Sequence, residues 1–180
     1  MKKIKVAVAG LGRIGKILLK NLSRNFPEIK VVAAMDIFDE SKEISDEFGV
    51  SVFMKDFDEL LAVPELDAVV ICSPTDTHAD YVVKAAKAGK QIFCEKPLDL
   101  SLERVKEVLQ IVEESGVKLM LGFNRRFDPE FKKIKQLVLN DAVGDPQIIK
   151  ITSRDPGPPP VSYIKVSGGM FLDMTIHDFD

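Results

Sequence analysis

Gly10-Leu11-Gly12-Arg13-Ile14-Gly15 follows Ile4-Lys5-Val6-Ala7-Val8-Ala9 without a break and opens a run in which Ile14, Ile17, Leu18 and Leu22 recur at helical spacing. The first run is mostly apolar on both faces, as a strand covered on both sides must be. Lys16, Lys20 and Arg24 fall between the apolar positions of the second run, which makes it amphipathic. At such a strand-to-helix turn the G-x-G-x-x-G pattern has a mechanical meaning. Its first glycine permits the tight turn, its second lets backbone approach a pyrophosphate, and its third lets helix and strand pack closely. Phosphates then meet the N–H groups at the helix N-terminus. Residues 31–35 form a second apolar run, and Asp36 ends it 21 residues after Gly15, where a carboxylate can accept hydrogen bonds from an adenosine ribose. A tight turn followed by a surface aspartate would read the same way, but context and spacing together favour a dinucleotide. Asp36 would repel a 2′-phosphate, and Ile37 and Phe38 offer no arginine to receive one, so NAD is expected over NADP.

Short apolar runs continue to alternate with longer amphipathic ones. Residues 41–49 read as a helix with Ser41 as cap and Gly49 just past its end. A weak strand is expected at 52–54, a helical turn at 57–61 and a strand at 68–72. A helix over 81–88 closed by Gly89 and a strand at 91–94 follow. Ser101, Arg104, Val105, Val108, Leu109 and Val112 mark a helix ending near Gly116, and 117–123 is a sixth strand. Six strands with helical crossovers predict an α/β, doubly wound parallel Rossmann sheet over residues 1–124. The character then changes. A helix is expected at 129–139, with Phe131, Ile134, Leu137 and Val138 on one face, then a strand at 147–153 and a proline-rich loop at 155–160. Gly168-Gly169 precedes a last helical run, 170–180. The strand at 147–153 has no later strand to pair with, so the polypeptide is expected to be half of something larger.

Composition narrows the class. The 180 residues are 46% hydrophobic and 29% charged, ordinary for a globular protein. Twenty-five Lys and Arg against 28 Asp and Glu leave a net charge of −3, against the basic excess a duplex nucleic-acid binder needs. No run approaches the roughly 18 apolar residues of a membrane span. The amino terminus reads as a strand and not as a signal peptide. Cys72 and Cys94 lie inside apolar runs, which suits reduced thiols in a cytoplasmic protein. No cluster has metal-ligand spacing, and neither a nucleophile elbow nor a Walker lysine is present.

Three further groups carry chemistry. Glu95-Lys96-Pro97 leaves the fifth strand at its carboxyl end, the edge where open α/β sheets bind ligands. Lys96 there is either a functional cation or a snorkelling lysine paired with Glu95. Asp173 and His177 stand four apart on the last run. They form either a proton relay or a solvated pair on one helix face. His78, after Ser73-Pro74-Thr75-Asp76-Thr77, is either a helix residue without a role or a cofactor contact at the same edge.

The ordered set of motifs resembles the Gfo/Idh/MocA oxidoreductases. It comprises Gly10 to Gly15, Asp36, the stretch from Ser73 to His78, Glu95-Lys96-Pro97, Gly122-Phe123-Asn124-Arg125-Arg126-Phe127 and Gly168-Gly169 with Asp173, His177 and Asp178. Arg154-Asp155-Pro156 and the run from Met174 to Asp180 strengthen the match. The resemblance implies hydride transfer between NAD and a secondary alcohol of a cyclitol or sugar, myo-inositol first. Lys96, Asp173 and His177 would then be catalytic. His177 would remove the hydroxyl proton, Asp173 would orient it, and Lys96 would bind the reacting oxygen. Leu11, Arg13, Ile14, Ser73, Thr75, His78, Glu95 and Lys96 would join Gly10, Gly12, Gly15 and Asp36 around the cofactor. Asn124 and Arg126 would sit on the substrate side. The resemblance also implies that 125–180 begin an α+β substrate and oligomerisation domain whose remaining sheet lies outside this chain. A homo-oligomer or a second chain supplying that sheet is expected; so, as the alternative, is an NAD-binding module without turnover of its own.

Overall fold

The computed structural model describes residues 2–38, 41–154 and 157–180. The chain divides into two compact units, Met1–Gly122 and Phe123–Asp180.

In the first unit, strands β1 (Ile4–Ala9), β2 (Ile29–Met35), β3 (Phe53–Met54), β4 (Ala68–Ile71), β5 (Gln91–Cys94) and β6 (Leu119–Leu121) form one sheet ordered β3-β2-β1-β4-β5-β6. Every adjacent pair is parallel. Helices α1 (Arg13–Asn25), α2 (Ser41–Phe48), α3 (Phe57–Leu61), α4 (Thr75–Lys87) and α5 (Leu102–Ser115) make the crossovers. This is the doubly wound Rossmann sheet that the alternation of runs predicts.

The strands lack polar alternation because each face has its own core. Ala7, Ala9, Ala33, Met35, Val69, Ile71, Ile92 and Cys94 point to one side and pack with Phe57, Leu60, Val82, Ala85, Val108 and Val112 of α3, α4 and α5. Val6, Val8, Ala34 and Val70 point to the other and pack with Leu19 of α1 and Ile44 of α2. Beyond α1 that second face carries an apolar groove of about 920 Å³ lined by Leu22, Ala68, Val70, Phe93 and Met120.

The helix ends have local causes. Ser101 Oγ accepts from the Arg104 N–H at 3.3 Å to start α5, and Gly116 ends it in the left-handed region at φ 66°. Gly49, at φ 69°, likewise follows α2. The expected Ser41 cap concerns a side chain outside the described residues, as are residues 39 and 40. Helix α4 starts at Thr75, six residues before the position the apolar spacing marked. There Thr77 Oγ1 donates to the Pro74 carbonyl and shares a 2.6 Å hydrogen bond with Ser73 Oγ, so polar residues that read as loop build the first turn. Strand β6 is confined to three residues because its ladder ends there on β5.

The second unit begins with a 3₁₀ turn at Asn124–Phe127 and continues into α6 (Pro129–Leu139), α7 (Val161–Ile164), a π-helical turn at Phe171–Thr175 and α8 (Ile176–Phe179). Asp128 caps α6, accepting from the N–H groups of Glu130 at 2.8 Å and Phe131 at 3.2 Å, with Pro129 at the first helical position. The strand expected at 147–153 is absent: those residues carry no regular structure and no ladder, and Ile148 and Ile149 are 89% and 78% exposed. An extended segment becomes a strand only when a neighbour pairs its N–H and C=O groups, and none does so among the described residues. Asp155 and Pro156 lie outside the described residues. No helix among the described residues is long and apolar enough to cross a membrane.

Candidate active site

The strand order reverses between β1 and β4, and the turns after these two strands meet at that point. Gly10 adopts φ 89°, and a Cβ there would stand 2.4 Å from the Ser73 nitrogen and 2.5 Å from the Cys72 carbonyl carbon. Its place is therefore set twice, by its own torsion and by the β4 turn packed on it. A Cβ on Gly15 would fall 1.9 Å from the Gly10 carbonyl oxygen, so the third glycine is what lets α1 close on the loop. Gly12 differs: a Cβ there would meet nothing within 4 Å. It precedes Arg13 at the head of a thirteen-residue helix, with no side-chain cap. The first N–H groups of that helix are thus left to an incoming anion, and the open side of Gly12 leaves room for one.

Asp36 closes the loop from β2. Its Oδ2 accepts from the Leu11 N–H at 2.6 Å and its Oδ1 from the Phe38 N–H at 3.1 Å. Leu11 is itself core, 1% exposed. Its amide therefore serves the aspartate, while Arg13 and Ile14 stay exposed at the helix start.

The β5 turn carries Glu95, Lys96 and Pro97, with the Lys96–Pro97 peptide bond cis. The Lys96 N–H donates to Glu95 Oε2 at 3.3 Å. Glu95 packs over Gly122, whose absent side chain leaves the room: a Cβ there would lie 2.9 Å from the carboxyl carbon. Burial pushes the Glu95 carboxyl above its ordinary value, against the opposing effects of the Lys96 N–H and of the neighbouring Lys96 and His78. Burial, helped by Glu95, also pushes the Cys72 thiol up to about 12 and the Cys94 thiol well above its usual range. Both thiols therefore stay protonated and unreactive near neutrality.

His78 sits within α4 and is 2% exposed. Its Nδ1 lies 2.8 Å from the Pro97 carbonyl oxygen and its Nε2 2.8 Å from the Ser73 carbonyl oxygen. Both ring nitrogens are engaged by main chain, so the ring ties the β4 turn to the β5 turn. Ser73 and Thr75 flank the first of those turns, half-buried.

The second unit organises its own candidates. Asp173 accepts a hydrogen bond from Tyr163 Oη at 2.7 Å, a partner that neither motif nor spacing had marked. Asp173 lies in a π-helical turn, where Thr175 Oγ1 donates to the Met170 carbonyl at 2.9 Å, and His177 lies in α8, which follows that turn directly. His177 meets Phe123 edge-on, ring centroids 6.4 Å apart. Arg125 is paired with Asp178, and Arg126 Nε donates to Asp180 Oδ2 at 2.7 Å. Arg126 is thus engaged with a carboxylate, while Asn124 is exposed. Among the described residues no group of three or more metal-ligating side chains gathers.

The geometry of the first unit fits a dinucleotide, and comparison with known proteins agrees. The model of an oxidoreductase family with an NAD-binding Rossmann fold matches residues 4–123. An inositol 2-dehydrogenase of Rhizobium meliloti is 48% identical over 178 residues, covering 98% of this chain and 53% of the relative. A myo-inositol 2-dehydrogenase of Thermotoga maritima is also 48% identical, with the same coverage. The crystal structure of scyllo-inositol dehydrogenase from Lactobacillus casei with bound NAD(H) and scyllo-inositol superposes with a TM-score of 0.86 at 36% identity, over 98% of this chain and 54% of that one. The chain spans about half the length of the relatives it matches. With its glycine cradle, its acidic strand end and this likeness along nearly its whole length, the chain belongs to the Gfo/Idh/MocA oxidoreductases, whose Rossmann fold binds NAD.

Proposed function

We propose that this chain provides the cofactor unit and the reacting residues of an NAD-dependent dehydrogenase that oxidises a secondary alcohol of a cyclitol, with myo-inositol as first candidate. The observation that carries this reading is the 48% identity to inositol dehydrogenases along 98% of the chain. Arg13 and Ile14 at the start of α1 would hold the pyrophosphate, and Asp36 the adenosine ribose. When bound, NAD supplies the hydride acceptor. The protein then has to remove a proton and to stabilise charge on the oxygen. His177 takes the hydroxyl proton in this proposal, Asp173 orients it, and Lys96 places its ammonium group on the oxygen where charge develops. Asn124 serves the substrate side. Arg126, held by Asp180, is given a supporting role.

The test is turnover of myo-inositol with NAD, followed by the absorbance of reduced nicotinamide, with Lys96→Ala as control. Turnover in the parent that falls about a thousandfold or more in the variant is expected, in line with loss of a group that stabilises transition-state charge. Turnover unaffected by Lys96→Ala would remove Lys96 from the reaction. Binding of NAD without turnover would support the other reading, a cofactor module that needs a partner chain.

A further inference from the structure

His78 meets the main chain of two turns through its ring nitrogens. Ser73 belongs to the turn after β4 and Pro97 to the turn after β5. The β4 turn in turn packs against Gly10, so the ring completes a chain of contacts from the glycine loop to the residue after Lys96. Both partners of the ring are carbonyl oxygens, which only accept. A neutral imidazole donates once and would leave a lone pair facing the other oxygen at 2.8 Å. Two hydrogen bonds form only when both nitrogens carry protons. Donation from both nitrogens needs acceptors on both sides of the buried ring, and the two carbonyl oxygens lie in contact with it.

We propose that His78 is a positioning residue that donates from both ring nitrogens and thereby locks the Ser73 turn and the Lys96–Pro97 turn into one rigid cofactor-facing edge. The proposal rests on the reading that NAD binds at this edge. Its basis is geometric: a nearly inaccessible imidazole at hydrogen-bond distance from two main-chain oxygens 24 positions apart, Ser73 and Pro97.

Two measurements on the full chain test it. The chain has two histidines, His78 and His177, so ¹⁵N-histidine labelling with His177→Asn as assignment control isolates the ring signals of His78. Two slowly exchanging His78 ring N–H signals near neutral pH are expected; a bare nitrogen at either position would overturn the double donation. The second measurement is calorimetric titration with NAD of the parent and of His78→Ala, His78→Asn and His78→Gln, each checked for retained helix content. Asn keeps a donor near the Nδ1 position and Gln one near Nε2, so each can restore one of the two hydrogen bonds. His78→Ala is expected to weaken NAD binding about tenfold, the scale of a lost buried hydrogen bond, with Asn and Gln each recovering part of it. An alanine variant that binds NAD as the parent does, or amide variants no better than alanine, would overturn the positioning role. Should His78→Ala fail to fold, the ring spectrum and the amide variants still decide. If the parent itself binds no NAD, the cofactor reading fails and the ring spectrum alone judges the clamp.

Discussion

Two glycines of one loop answer a single added methyl group in opposite ways. Gly15→Ala puts a carbon 1.9 Å from the Gly10 carbonyl oxygen, which is backbone and cannot swing aside. It is expected to cost about 1–3 kcal/mol in urea unfolding, the usual scale for a forced overlap. Gly12 faces open space, and serine is a good residue for the position before a helix. Gly12→Ser should leave stability within about 1 kcal/mol while weakening NAD binding about tenfold, because its side chain enters the approach of the pyrophosphate. Glu95 yields a pH signature. Burial raises its carboxyl in the folded chain above the ordinary 4.5, so folding favours the protonated form. Its stabilising contribution is complete below that ordinary value and is lost as pH rises through the folded one. Glu95→Gln should therefore flatten the stability profile upward from about pH 4.5, measured as urea midpoints against pH. An unchanged slope would mean that the carboxyl is not held away from water. At this scale the glycines and Asp36 were legible, because each obeys a rule of spacing around a turn. His78 was not legible as a clamp: its partners are main-chain oxygens, which no side-chain pattern announces. Tyr163 beside Asp173 escaped for a related reason, since the two stand ten positions apart on different helical elements.

At the scale of elements, the strands were readable because both faces are buried, and the helices because their apolar stripes keep one period. Their ends were readable where a cap is local. Ser101→Ala removes the oxygen that receives the Arg104 N–H and is expected to cost about 1 kcal/mol, measured by chemical unfolding. A cost below about 0.3 kcal/mol would show that water replaces the cap fully. The start of α4 was misplaced because Ser73, Pro74, Thr75 and Thr77 read as loop, although they build a helical first turn out of their own hydroxyls. The strand expected at 147–153 shows the limit of local pattern. Its isoleucines satisfy every preference for extended structure, yet a strand exists only with a neighbour. The last run is helical as its spacing predicts, with a π turn at Phe171–Thr175 that the letters do not announce.

At the scale of the whole molecule, the Met1–Gly122 unit holds every element of a dinucleotide fold in order, with the glycine loop and the β4 turn meeting where the strand order reverses. The Phe123–Asp180 unit carries Asp173 and His177 on short helical turns stabilised by Tyr163, Arg125 and Arg126. Cofactor binding is thus the property tied most directly to this fold. The decisive measurement is calorimetric titration of the folded chain with NAD and, separately, NADP. Saturable binding of NAD at a single site is expected, about tenfold or more tighter than NADP, because the carboxylate proposed to receive the ribose, Asp36, would repel a 2′-phosphate. A folded chain that takes up no NAD, or that binds NADP equally well, would contradict the assignment of this edge as an NAD site.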